Sequence, residues 1–153
     1  MSLDDTRTGT YFALFNEIGI IDQIGKTFLE ARLPDGLIAP HFSVLNHLIR
    51  VKDGQTPLKL AEAFQVPKTT MTHTIAGLEK HGLVDIRPNP ADKRSKQVWL
   101  TPKGQALRDE TIARFIPLFD ELADAIPPDR IAAILPVLEE VRKFVDDLRD
   151  RRN

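Results

Sequence analysis

The 153-residue chain carries 21 basic and 22 acidic residues, 42% hydrophobic residues and no cysteine. That is enough chain to bury a core as one domain, 1–153, and the missing cysteines exclude disulfides, thiol redox sensing and thiolate metal sites. No apolar run approaches the roughly 18 residues needed to span a membrane, and "MSLDDTRTGT" lacks the apolar core of a secretory signal, so a cytoplasmic location is expected.

The charge is unevenly divided along the chain. Residues 1–49 hold 3 basic and 6 acidic groups, residues 50–108 hold 11 and 5, and residues 109–153 hold 7 and 11. A basic middle between acidic flanks points to a polyanion met by the middle alone. A chance fluctuation of charge is the plain alternative.

In chain order, Tyr11–Leu33 has apolar residues at helical spacing, and "LPDG" at 33–36 breaks it. "HFSVLNHLIRV" (41–51) predicts a shorter amphipathic helix closed by "KDGQ". "TPLKLAEAF" then starts with Thr56 before Pro57, a capping hydroxyl followed by a residue tolerated at the first helical position. The same pair recurs at Thr101–Pro102.

Lys68 to His81 predicts the most informative helix. Met71, Ile75 and Leu78 fall on one face, while Thr69, His73, Ala76 and Lys80 lie opposite, flanked by Thr72 and Gly77. Gly82 supplies a stop. A face of Thr, His, Ala and Gly is thinner than the usual Glu/Lys solvent face, so another object can approach it closely.

"LVDIRPN" and "QVWLT" alternate apolar and polar residues and predict two antiparallel strands. Their connection, "PADKRSK", is basic. The last third is helical, with interior prolines Pro117 and Pro136 that are expected to kink or split their helices.

Short helix, tight turn, thin-faced helix and basic-tipped hairpin form the order of a winged helix-turn-helix, in a mainly α protein with a small β-wing. The second helix of such a unit enters the DNA major groove. The hairpin reaches a minor groove, where negative potential attracts arginine.

The stretch "LAEAFQVPKTTMTHTIAGLEKHGLVDIRPNPADKRSKQVWLTPKGQAL" resembles the signature region of the MarR (multiple-antibiotic-resistance regulator) family. That family shows a helix of the "LA" type, a recognition helix ending in "LEKKGLV", a "DxRS" wing and "LTxxG". "HFSVLNHL" is similar to its "QFxVLxxL" segment.

The resemblance implies a homodimer on pseudo-palindromic double-stranded DNA, most often a repressor, released by a small phenolic or lipophilic ligand in a crevice beside the DNA-binding lobe. Residues 37–107 would be that lobe, and 8–36 and 108–153 the dimerisation helices. The wing roles would pass to Asp92, holding the tip, and Arg94, entering the minor groove. Two departures stand out. Pro67 replaces the usual Ser cap of the recognition helix, and His73 stands where Arg is frequent. Imidazole lacks the bidentate fork that reads guanine.

The candidate DNA contacts are Lys68, Thr69, Thr70, Thr72 and His73 on the helix and Lys93, Arg94 and Lys96 on the wing. A solvated loop is the bland reading of the wing residues. Lys80 fits a partner of its helix's C-terminal dipole better than a DNA contact. Trp99 fits packing across the hairpin better than a ligand role. His41 and Phe15 are candidates for the ligand crevice, against a structural histidine and a dimer-core phenylalanine. The four histidines form no metal-ligand spacing. No cofactor is implied, and no catalytic motif such as G-x-S-x-G or H-E-x-x-H is present. The rival to a DNA-binding regulator is a winged-helix module whose basic wing grips an acidic protein partner.

Overall fold

The computed structural model describes residues 6–152. They form α1 (Thr6–Glu30), α2 (Ala39–Arg50), α3 (Pro57–Phe64), α4 (Lys68–Lys80), β1 (Val84–Pro88), β2 (Lys96–Leu100), α5 (Pro102–Ala113), α6 (Ile116–Ala125) and α7 (Pro128–Arg152). The chain divides into two compact units, Met1–Ala113 and Arg114–Asn153.

The first unit is a winged helix-turn-helix preceded by one long helix. Its core gathers Val44, Leu45 and Leu48 of α2, Leu60 and Ala61 of α3, Met71, Ile75 and Leu78 of α4, and Leu83, Val84 and Val98 around the hairpin, all at most 5% exposed. The three apolar positions expected on one face of α4 are therefore buried, with Thr74 beside them. The expected caps hold as well. Thr56 Oγ1 accepts the Lys59 N–H at 3.2 Å, with Pro57 at the helix start. Thr101 Oγ1 accepts the Gly104 N–H at 3.0 Å and donates to the Gly82 carbonyl at 2.7 Å, tying the start of α5 to the end of α4.

Gly82 closes α4 at φ +71°, with Gly82 N–H on Glu79 O and Leu83 N–H on Leu78 O, both at 2.9 Å. This is a Schellman stop, which needs the left-handed conformation glycine adopts freely. The hairpin after it pairs Val84 with Leu100 and Ile86 with Val98, so its apolar residues share the core face. Gln55 O accepts the Val98 N–H at 2.8 Å and Asp53 Oδ1 accepts the Leu100 N–H at 2.9 Å. Both bonds fasten β2 to the α2–α3 turn.

Helix α1 is already formed at Thr6, five residues before the expected start, and ends at Glu30, four residues before Pro34, which disfavours helix in the residue ahead of it. None of its residues is buried. Further along, Pro117 splits the predicted helix: α5 ends at Ala113, and Pro117 stands in the first turn of α6, where its missing N–H has no partner to lose. Pro136 does not split α7, which runs unbroken from Pro128 to Arg152. Strong helix formers on both sides of Pro136, with Glu139–Lys143 (2.6 Å) and Arg142–Asp146 (3.8 Å) pairs one turn apart, carry the helix past the one lost hydrogen bond.

Candidate nucleic-acid interface

Helix α4 turns Thr69, Thr72, His73 and Ala76 outward, all exposed. Three of these four side chains are short, and Thr72 keeps its hydroxyl on the helix, Oγ1 donating to the Lys68 carbonyl at 2.8 Å. A helix so dressed can sink to its backbone in a groove. Lys68 opens it, and no acidic residue lies in its first turn.

Thr70 is placed differently. It is exposed, but its carbonyl accepts from the buried Thr74 Oγ1 at 3.1 Å, on the flank that turns toward the buried face. That flank walls a cavity of about 340 Å3 shared with Lys26, Glu30, Val44, Phe64 and Met71.

The wing tip stands beyond the Pro88–Lys96 pair, with Lys93, Arg94 and Lys96 exposed. Asp92 Oδ1 accepts the backbone N–H of Arg94 at 2.9 Å, so the acid does hold the tip in its turn. Four of the candidates, Lys68 and Thr72 of α4 and Arg94 and Lys96 of the wing, meet in one groove of about 400 Å3 with Thr56, Asn89 and Asp92, while Thr69, Thr70, His73 and Lys93 do not line it. Three cations and one acid make this groove electropositive.

Trp99 packs as the hairpin reading expected. Its ring lies over Gly54 and carries the Arg87 guanidinium at 5.4 Å, across the sheet. Lys80 is exposed in the last turn of α4, where its charge complements the helix dipole.

The two crevice candidates are not brought together. Phe15 is 51% exposed on α1. His41 is the third residue of α2, and its Nδ1 accepts the Ile38 N–H at 2.9 Å. Ile38 has no side-chain acceptor of its own, so imidazole does the work a Glu or Gln does at that position in a capping box. Glu30 Oε1, from α1, accepts the next N–H, that of Ala39, at 3.0 Å. Neither Phe15 nor His41 lines the 340 Å3 cavity.

Residues that the sequence did not single out also shape the surface. Asn89 and Ser95 bond to each other at the root of the wing loop, and Asp53 anchors β2. Asn89 two residues before Ala91 is a recognisable turn signal; the reach of Asp53 to Leu100, 47 residues away, leaves no trace in local sequence. Among the described residues no three His, Asp or Glu side chains come together to hold a metal ion. Nor is any described helix long and apolar enough to cross a membrane.

Residues 35–95 match the model of the MarR family. Over 90 residues the chain is 37% identical to the transcriptional regulator HosA of Escherichia coli O111:H-, a stretch covering 59% of this chain and 62% of that protein. It is similar to a cysteine-to-serine mutant of MarR from E. coli complexed with operator DNA, at 27% identity and TM-score 0.67, covering 86% of this chain and 95% of that one. A MarR transcriptional regulator from Methanosarcina mazei Go1 shares its fold at TM-score 0.74 and 21% identity, covering 88% and 97%.

Proposed function

We infer that this chain is a transcription regulator of the MarR family, a reading supported by the family match over residues 35–95 and by the similarity to HosA, and that it binds a pseudo-palindromic operator as a homodimer, represses from it, and leaves it when a small aromatic or lipophilic ligand binds. The observation that carries the DNA reading is the convergence of Lys68 and Thr72 of α4 with Arg94 and Lys96 of the wing on one electropositive groove. The roles follow from position. Lys68, Thr69, Thr72 and His73 meet base edges and phosphates in the major groove, with Thr70 at their margin. Lys93, Arg94 and Lys96 follow the backbone and a minor groove. Residues 37–107 read DNA, while 8–36 and 108–153 supply dimerisation helices.

The operator-bound E. coli relative supports the polyanion. The exposed apolar face of α1 supports a partner along that helix, with Tyr11 60% and Ile18 39% exposed on one side of it. The cavity between α1, α2 and α4 supports an effector site, apolar apart from Lys26, Glu30, Ser43 and threonine groups.

Selection of sites from random duplexes by the purified protein, followed by affinity across a salt series, tests this reading. An enriched inverted repeat with a steep negative salt slope is expected. Arg94→Ala weakens binding to it by about tenfold or more. No enriched motif, with only weak salt-sensitive retention, would instead favour the module that grips an acidic protein.

A further inference from the structure

The wing loop carries an internal frame that bears on how Arg94 is aimed, a role that rests on the proposed reading of DNA by this lobe. Asn89 stands at the root of the loop and is tied to Ser95 twice. Its backbone N–H donates to the Ser95 carbonyl at 3.3 Å, and its Nδ2 donates to Ser95 Oγ at 2.8 Å. Its Oδ1 accepts the Ala91 N–H at 3.0 Å. Ser95 continues the sequence of bonds: its N–H at 3.1 Å and its hydroxyl at 3.2 Å both donate to the Asp92 carbonyl. Asp92 closes the frame on the Arg94 N–H. Asn89 and Ser95 are half-buried, whereas residues 91–94 between them are exposed.

The side chain of Arg94 has little else to steady it. Its Nε lies 3.5 Å from Asp92 Oδ1, and the guanidinium arm is 93% exposed. An exposed pair of that geometry constrains an arginine weakly. Its aim therefore comes from where the backbone of residue 94 is held. Pro88 and Pro90 flank Asn89, fixing φ on either side and pushing Asn89 itself toward extended backbone. The root of the frame is thus set before any duplex arrives, and less ordering is left to the binding step.

We propose that Asn89 and Ser95 are positioning residues for Arg94, holding the wing tip so that the arginine meets the duplex at a fixed offset from Lys68 and Thr72 across the shared groove. Neither residue needs to touch DNA for this. Their contribution exists only while Arg94 is there to be aimed.

A double-mutant cycle in the full-length protein, on the duplex enriched by site selection, tests it. Asn89→Ala is expected to weaken affinity about three- to tenfold, the cost of ordering one or two more groups on binding, with an unchanged thermal midpoint. In the Arg94→Ala background the same substitution changes affinity by less than about twofold. Ser95→Ala behaves like Asn89→Ala, and Ser95→Thr, which keeps the hydroxyl, restores binding. Equal affinity of Asn89→Ala and wild type overturns the proposal, and so does an additive loss in the double variant, which means direct contact. Should Arg94→Ala bind as tightly as wild type, the reading of Arg94 falls and the positioning claim with it. A loss in Arg94→Ala without one in Asn89→Ala removes the positioning claim alone. If Asn89→Ala lowers the thermal midpoint, the Ser95→Ala and Ser95→Thr pair carries the test.

Discussion

At His41 one hydrogen bond depends on a protonation state. Nδ1 can accept the Ile38 N–H only while it carries no proton. Burial, and then the neighbouring charges of His81 and His73, hold its pKa below the ordinary histidine value of 6.5. Glu30 is the charged group from α1 at this helix start, on the adjacent N–H. A lowered histidine pKa means that the unfolded chain takes up the proton first. The contribution of His41 is therefore full above about pH 6.5 and drains away as the pH falls from there to the lowered value. His41→Gln supplies the same acceptor without titrating. Thermal midpoints measured from pH 8 to pH 5 should show the wild type losing ground to His41→Gln on the acid side, while His41→Ala stays about 1 kcal/mol below His41→Gln throughout and approaches wild type only at low pH. Parallel curves for wild type and His41→Gln would remove the effect. This role was hard to read in the sequence, where Ile38 gives no capping signal and histidine is not the usual residue three positions on. Thr56, a standard cap ahead of a proline, was legible at once.

Among the elements, α4 and the hairpin were the most legible, and for a physical reason. Their faces are set by local periodicity: Met71, Ile75 and Leu78 recur at the helical interval, and Val84, Ile86, Val98 and Leu100 alternate. Gly82 marks the stop because the turn demands a positive φ. The fate of α7 was not legible, since a single proline can be absorbed by enough helix formers around it, and local sequence does not weigh the two. The glycine of the "LTPKG" segment is a motif letter in the sequence and a packing requirement in the structure. Gly104 is buried in the first turn of α5, and a Cβ there would collide with the backbone carbonyl of Leu83 and press to 3.0 Å on Leu100 Cδ1. Backbone does not yield as a flexible side chain does. Gly104→Ala should thus displace α5 from the α4–β1 turn, strain the Thr101 bonds and cost roughly 2 kcal/mol or more. Chemical denaturation with an unchanged m-value checks this. A loss below about 0.5 kcal/mol would mean that α5 shifts freely.

For the whole molecule, the pattern of exposure is the strongest argument about assembly. Neither α1 nor the helices of the second unit bury a single described residue, yet both display large apolar side chains. Tyr11, Phe12, Phe15 and Ile21 lie on one helix, and Phe119, Leu135, Val137 and Phe144 on the others, all at least 50% exposed. Faces of this kind mark contact surfaces when they are contiguous, and in the MarR reading their occupant is a second copy of the same chain. Periodicity showed the apolar residues of α1 without naming what covers them, and it was the family resemblance alone that pointed to a second chain there. Light scattering or sedimentation should accordingly give about twice the 17.2 kDa of one chain, with a thermal midpoint that rises with protein concentration. Tyr11→Asp together with Ile18→Asp, two turns apart on one face of α1, places two charges on that stripe. The pair should shift the population to monomer and weaken binding to a two-half-site operator far more than to an isolated half-site. Each half-site is read by one lobe, and only the dimer joins the two events in one molecule. A protein that stays dimeric with both charges in place would move the interface off α1. Monomeric wild type that still bound the full operator with high affinity would break the link between assembly and DNA recognition.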